Sequence, residues 1–254
     1  MLETFLILLA GGTMLAAAIP DPKTVTLHWL RLAGILALTF AGLAALWYFT
    51  HGMPTPSLRR FATGSLIATI VLVMLQLAFA QVDWRRLQRW FALLAALAAV
   101  EAGVFFLHRD PSHLIAIEFL SIAGVAAMCG VALMDMLLGH AYLTAAKMTI
   151  APFLRLNRAL LVILGLRSVS AVVVAHFVNQ AHPVEKLWGI HGLYIGTRWF
   201  VGLLVPAVFL FMAHDCIKRR STQSATGILY VAGVLIFIGE IIALQLVRDT
   251  GLPF

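Results

Sequence analysis

Six ionisable residues lie inside long apolar stretches of this sequence, where a charge is costly. They are Glu101, Glu118, Asp135, Arg167, Arg198 and Glu240. Three histidines stand near the ends of such stretches, namely His140, His176 and His191. A charge on a transmembrane segment costs roughly 2.5–3.5 kcal/mol on insertion scales, so several together indicate a functional site. Carboxyl, guanidinium and imidazole groups in one apolar setting suit proton handling and the binding of oxygen acceptors.

The composition sets the class of protein that carries these residues. Apolar residues make up 62% of the 254 positions and charged residues 11%, and the mean hydropathy is +0.97. These values exclude an ordinary soluble domain and indicate a polytopic membrane protein. The net charge of +7 is explained mostly by membrane topology, so it gives no argument for a nucleic-acid partner.

Eight apolar stretches are long enough to cross a hydrocarbon core of about 30 Å. Such long, unalternating runs predict helices rather than the strands of a barrel. The short polar segments between them leave no room for a second domain, so we predict one transmembrane domain over 1–254. The fold class is an all-α, polytopic integral membrane bundle, with helices near 2–19, 28–50, 61–81, 87–107, 113–143, 152–178, 187–214 and 224–247.

The distribution of basic residues predicts the orientation of the bundle. Eleven Lys and Arg residues follow the first, third, fifth and seventh spans, against five on the opposite face. Because Lys and Arg in short loops mark the cytoplasmic side, both termini should lie on the outer, periplasmic side. We predict a multi-pass protein of a bacterial cytoplasmic (inner) membrane, in contact with the lipid bilayer.

Polar residues divide the spans into two groups. Spans one to three carry no charge in their interiors and are predicted to be scaffold or lipid-facing packing. Spans four to eight carry all the intramembrane charge, so the predicted site lies among them. The helical rise of 1.5 Å per residue places the three glutamates about 10 Å into the outer leaflet and the two arginines near the midplane.

The predicted site is an outer-leaflet pocket for quinone binding and proton release. Its catalytic candidates are Glu101, Glu118, Glu240, Arg167 and Arg198, and its cofactor-binding candidates are His176, His191 and Tyr194. His191, Tyr194 and Arg198 are spaced i, i+3, i+7 and so share one helix face. Acidic groups would take protons from a quinol, and His, Tyr or Arg would bind its oxygens.

We therefore expect a membrane subunit of a quinone-linked electron-transfer complex, the membrane part of an oxidoreductase. The sequence shows no redox-metal motif, so electrons would pass to or from other subunits that act as donor or acceptor. No metal site is predicted, because HExxH and paired acidic motifs are missing from the sequence.

One b-type haem is an alternative cofactor. His113 and His140 are 27 residues apart, and His191 and His214 are 23 apart. These separations correspond to about 40 and 35 Å of helix, which puts those side chains at or beyond the interfaces. A single haem between His176 and His191 stays open.

Four other functions also stay open. A proton-coupled small-molecule transporter would use the same charges to form and break pairs during alternating access. A b-haem-binding membrane protein, a membrane-embedded lipid-modifying enzyme and a structural assembly subunit complete the set. In the structural alternative, the buried charges only hold helices together.

Overall fold

The computed structural model describes residues 1–51, 56–107, 115–144, 149–181 and 184–250, with side chains at 1–51, 58–107, 119–143, 149–174 and 192–249. Within these ranges the chain is helical and contains no strand. The helices are α1 (Leu2–Ala18), α2 (Leu27–Thr50), α3 (Pro56–Gln81), α4 (Arg85–Leu107), α5 (Ile115–Thr144), α6 (Ala151–Ala181), α7 (Val184–Trp199), α8 (Val205–Lys218) and α9 (Thr222–Thr250).

Over the described ranges, seven helical segments are long and apolar enough to cross a membrane, and α1 is a shorter apolar helix of 17 residues. Large apolar side chains are exposed along these segments, such as Leu46, Leu166 and Phe211. Such exposure is expected where lipid rather than water covers the surface. The prediction of a helical membrane bundle is confirmed, and the helices end within a few residues of their predicted limits.

The bundle consists of two groups of helices. The first group is α1 to α4, in which α1 packs on α2 and α4, and α3 packs on α2 and α4. The second group is α5 to α9, in which α9 packs on α5, α7 and α8, and α6 packs on α5 and α8. The two groups meet chiefly where α1 packs against α5. The intramembrane site therefore belongs to the second group, as the distribution of polar residues predicts.

Of the two roles predicted for span one, scaffold or lipid-facing packing, the structure fits the scaffold, because α1 packs against α2, α4 and α5. Twelve of its residues are buried. Small residues allow this close packing: a Cβ at Gly12 would meet the carbonyl oxygen of Ala126, and a Cβ at Gly130 would meet the backbone of Gly12. Glycine at both positions lets the backbones of α1 and α5 touch.

A π-helical turn, Phe200–Leu204, joins α7 to α8 without a break in the helix. The N–H of Val205 donates to the carbonyl of Phe200, five residues earlier. Pro206 follows at the start of α8 and has no N–H to donate. Pro206 thus lies two residues after a widened turn, which itself begins directly after Trp199 and two residues after Arg198.

Candidate functional site

A buried ion triad lies at the centre of the second helix group. The carboxylate of Glu240 on α9 lies between the guanidinium groups of Arg167 on α6 and Arg198 on α7. Arg167 Nη2 is 2.7 Å from Glu240 Oε2, and Arg198 Nη1 is 2.9 Å from Glu240 Oε1. Arg167 Nε also donates to Oε1 over 3.4 Å. The exposed fractions of the three residues are 3%, 1% and 0%, so the charges pair inside the protein.

Arg167 reaches from α6 to α5 as well as to α9. Its Nη1 donates to the carbonyl and to the hydroxyl of Ser121, each over 3.4 Å. Gly124, one turn further along α5, leaves room for the long side chain, because a Cβ there would lie 2.6 Å from Arg167 Cδ. The guanidinium therefore holds α5, α6 and α9 together at one level.

A contact between two glycines sets the position of Arg198 against Glu240. A Cβ at Gly202, in the π-helical turn, would lie 2.7 Å from the Cα of Gly239 and 3.3 Å from Arg198 Nη1. Gly239 precedes Glu240 in the chain, and Gly202 lies four residues after Arg198. The close approach of these two backbones brings the arginine and the glutamate within hydrogen-bond distance.

Two donor nitrogens of Arg198 contact no acceptor in the part of the chain that the structure describes. Its Nε and Nη2 are buried and have no hydrogen-bond partner among the residues that the structure describes. A buried donor without an acceptor costs about 1–3 kcal/mol, and more when it is charged. These two N–H groups are thus a ready site for an oxygen acceptor from a ligand.

Other predicted site residues lie apart from the triad or outside the described side chains. Glu101 is exposed on α4, a helix that packs mainly against α1 and α3 rather than against the helices of the triad. The Tyr194 side chain on α7 is 42% exposed, four residues before Arg198 on the same helix. The side chains of Glu118, His176 and His191 lie outside the described residues. The structure therefore joins Arg167, Arg198 and Glu240, and the quinone roles of all eight predicted residues stay predictions.

A second buried polar cluster lies toward the opposite ends of the same helices. Asn157 Nδ2 on α6 donates to Asp135 Oδ2 on α5 over 3.2 Å. Asn157 Oδ1 is 3.0 Å from Nδ1 of His214 on α8, so the imidazole nitrogen donates when it carries the proton. Asp135 and Asn157 are fully buried, whereas His214 is partly exposed. Asp135 Oδ1 is buried without a partner among the described residues.

An apolar layer separates the two clusters. Asn157 and Arg167 are ten residues apart on α6, which corresponds to about 15 Å along the helix. The residues between them are apolar or small, apart from Arg158, whose side chain is exposed. Cys129 on α5 is buried near this layer. Its thiol is close enough to Arg167, Arg198 and Glu240 to interact with them electrostatically.

Two contributors to these clusters were not singled out by the sequence analysis. Ser121 and Asn157 are ordinary polar residues within apolar helices, and nothing local to them indicates a partner. In the sequence, Asn157 indicates a buried polar contact only through its residue type, because an amide inside a membrane span needs hydrogen-bond partners. His140, Arg155, Arg158 and Asp215 are all exposed, so they lie outside the buried cluster.

No known protein family, curated protein or solved structure matches this chain. Among the described residues, no three His, Cys, Asp or Glu side chains converge in a way that could hold a metal ion.

Proposed function

We propose that this protein is the membrane subunit of a quinone-linked electron-transfer complex and that Arg198 binds a quinone oxygen. One observation carries the proposal: two donors of the buried Arg198 guanidinium have no acceptor among the described residues of this membrane protein. A pure helix clamp would use those donors within the protein, because leaving them unpaired weakens the bundle.

The chemistry of a quinone fits these donors. Its carbonyl oxygens accept hydrogen bonds, and its apolar ring and tail reach the site through lipid rather than water. Hydrogen bonds from a charged donor are about twice as strong as neutral ones, and a low dielectric strengthens them further. Arg198 would hold one oxygen, and Tyr194 is the candidate for the other because it lies one helical turn away.

Glu240 has a different role from the one that its sequence position suggests. Both of its oxygens already accept hydrogen bonds from arginines. A carboxylate in this arrangement orients the Arg198 guanidinium rather than taking the proton of a quinol. Proton release would then pass through another group, for which the predicted candidates are Glu118, His176 and His191.

The proposal also includes the finer topology. We propose eight membrane crossings, with α1 as the short first one and both termini on the periplasmic side of a bacterial inner membrane. Glu240 would then lie about 15 Å from the outer end of α9, ten residues before Thr250. A partner subunit would supply or remove the electrons.

Quinone binding is tested on the full-length protein purified in mild detergent. Organic extraction measures resident quinone, and titration with a short-chain quinone analogue measures affinity through the quenching of tryptophan fluorescence. Arg198→Lys keeps a positive charge beside Glu240 but removes both unpaired donors, so we expect a loss of affinity of about 10-fold or more, the equivalent of one charged hydrogen bond.

Arg219→Lys is the matched control, since Arg219 is an exposed arginine whose side chain is 79% accessible. It should bind the analogue as the unchanged protein does. Equal binding by Arg198→Lys and by the control, in samples without resident quinone, would overturn the proposal. A reduced-minus-oxidised optical spectrum of the same sample tests the predicted alternative of a single b-type haem.

A proton-coupled transporter is the second candidate function, and the position of the second cluster favours it. Asp135 and Glu240 lie on either side of an apolar layer, and the helix that passes between them widens into a π-helical turn shortly before Pro206. Such π-helical turns are frequent at functional sites, and buried charges in membrane spans often mark ion pathways. Solute uptake into vesicles that depends on a pH gradient and is lost in Asp135→Asn would support this alternative over the quinone subunit.

A further inference from the structure

The Asp135, Asn157 and His214 side chains form a hydrogen-bonded row from the bundle interior to its basic end. We infer that Asp135 is an internal proton-binding site and that His214 exchanges its proton with the solvent. Asn157 acts as the positioning residue between them, since its amide bonds to both partners. This inference concerns the opposite end of the bundle from Arg198 and holds whether or not quinone binds there.

The environment of Asp135 supports a role in proton binding. The side chain is fully buried inside α5, in a segment that is apolar enough to span a membrane. Its one hydrogen-bond partner among the described residues is the neutral amide of Asn157, whereas Glu240 has two cationic partners. A carboxyl group inside a membrane without such a partner is typical of proton relays.

The free oxygen of Asp135 gives the proton a place to bind. Oδ2 accepts from Asn157, and Oδ1 is buried with no partner among the residues described. In the transfer, His214 takes a proton from water at the surface. Because the Asn157 amide between the two side chains keeps its own hydrogens, a water molecule beside that amide carries a proton from the imidazole to Oδ1 of Asp135. The carboxylate becomes a carboxylic acid, and the imidazole returns to its neutral form.

His214 is placed to exchange protons with water. It is partly exposed, and Lys218, Arg158 and Asp215 act on it electrostatically. Arg158 comes from α6 and the other two from α8, close to the basic segment Arg219–Arg220. From α9, the polar side chain of Thr226 lies against Gly139 of α5, and its hydroxyl donates to the carbonyl of Thr222.

Infrared difference spectroscopy on the full-length protein in detergent tests this site directly. Spectra taken in acidic and alkaline buffers report the C=O stretch of protonated carboxyl groups. We expect a pH-dependent band that is absent from Asp135→Asn and present in Glu101→Gln, which removes another carboxyl of the transmembrane region. A set of bands unchanged by Asp135→Asn would overturn the proposal.

The connection through Asn157 and His214 is tested by the rate at which the band shifts after transfer to D₂O. In Asn157→Leu and in His214→Gln we expect the band to persist and the exchange to slow by about 100-fold, the usual contribution of a positioned proton-transfer group. Asp215→Asn, beside His214 and exposed, should exchange as the unchanged protein does. Unchanged rates in both relay variants would overturn the connection.

Asn157→Leu and His214→Gln still test the proposal if Asp135→Asn does not fold. Each leaves the carboxyl in place, so labelling with ¹³C-aspartate identifies the aspartate band in a folded protein. Slow hydrogen exchange of the labelled band in Asn157→Leu supports the proposal, and exchange as fast as in the unchanged protein contradicts it. Because neither variant touches Arg198, failure of this test leaves the quinone proposal to its own experiment.

Discussion

The two arginines of the triad bind the same carboxylate but differ in how many of their donor nitrogens have an acceptor. Arg167 has further acceptors on Ser121, whereas two donors of Arg198 have none among the described residues. A buried ion pair seldom repays its whole desolvation cost, so its presence alone is weak support for either stability or function. The unpaired donors are what separate a binding site from a helix clamp.

Removing the carboxylate of the triad should weaken the protein strongly. Glu240→Gln leaves two buried guanidinium groups facing each other without a counter-charge, which should lower the free energy of unfolding by about 3–5 kcal/mol. Unfolding by SDS in mixed micelles, followed by circular dichroism, measures the change.

Glu101→Gln is the matched control, because it makes the same change at an exposed glutamate on α4 and should alter stability little. Replacing Glu240, Arg167 and Arg198 together by apolar residues of similar volume should restore most of the loss. A loss below about 1 kcal/mol in Glu240→Gln would mean that the triad carries little buried charge.

Glycine contacts between helices, more than the charges themselves, determine where the charged side chains lie. Gly202 and Gly239 bring the π-helical turn against α9 beside Arg198 and Glu240, and Gly12 with Gly130 brings α1 against α5. In each pair a Cβ on one helix would collide with the backbone of the other. The elements are therefore held at distances that larger residues would not permit.

The contact of α1 with α5 predicts a specific sensitivity to size. Gly12→Ala places a methyl group against the carbonyl of Ala126 and should reduce stability by about 1–3 kcal/mol, the usual cost of overpacking. Unfolding in SDS micelles measures it.

Gly42→Ala is the control on α2, because a Cβ there meets nothing within 4 Å. It should be neutral or stabilise by up to about 1 kcal/mol, since alanine is the better helix former. Equal effects of the two substitutions would contradict the close packing of α1 on α5.

At the scale of the whole molecule, the two buried clusters lie at different levels of one helix group, while the first group provides packing. Basic residues gather near the end of the bundle that holds His214, including Arg155, Lys218 and Arg219. In the topology proposed above, the positive-inside rule makes that end cytoplasmic and puts the triad toward the periplasmic side.

Cysteine labelling tests this orientation. With Cys129 and Cys216 replaced by alanine, a membrane-impermeant maleimide added to intact spheroplasts should label His51→Cys and leave Ser221→Cys unlabelled. Both positions are exposed at helix ends, so accessibility differs only by side of the membrane. Labelling of Ser221→Cys from outside would reverse the proposed topology.

Several features of the protein could be predicted from the sequence because they depend on local composition. The helical character of the bundle, the approximate limits of its helices and the restriction of buried charge to the second group follow from the length and polarity of each apolar run. The grouping of Glu240 with Arg167 and Arg198 follows from depth, since each residue adds a constant 1.5 Å of rise.

Only the tertiary structure decided which residues at one depth meet. Helix rotation and neighbour choice depend on contacts between distant segments, such as Gly202 on Gly239, and no local pattern encodes them. Depth alone placed Glu101 beside the arginines, whereas the packing of α4 against α1 and α3 leaves its side chain exposed. The same packing brought Asn157 between Asp135 and His214, because three helices from separate parts of the chain converge there.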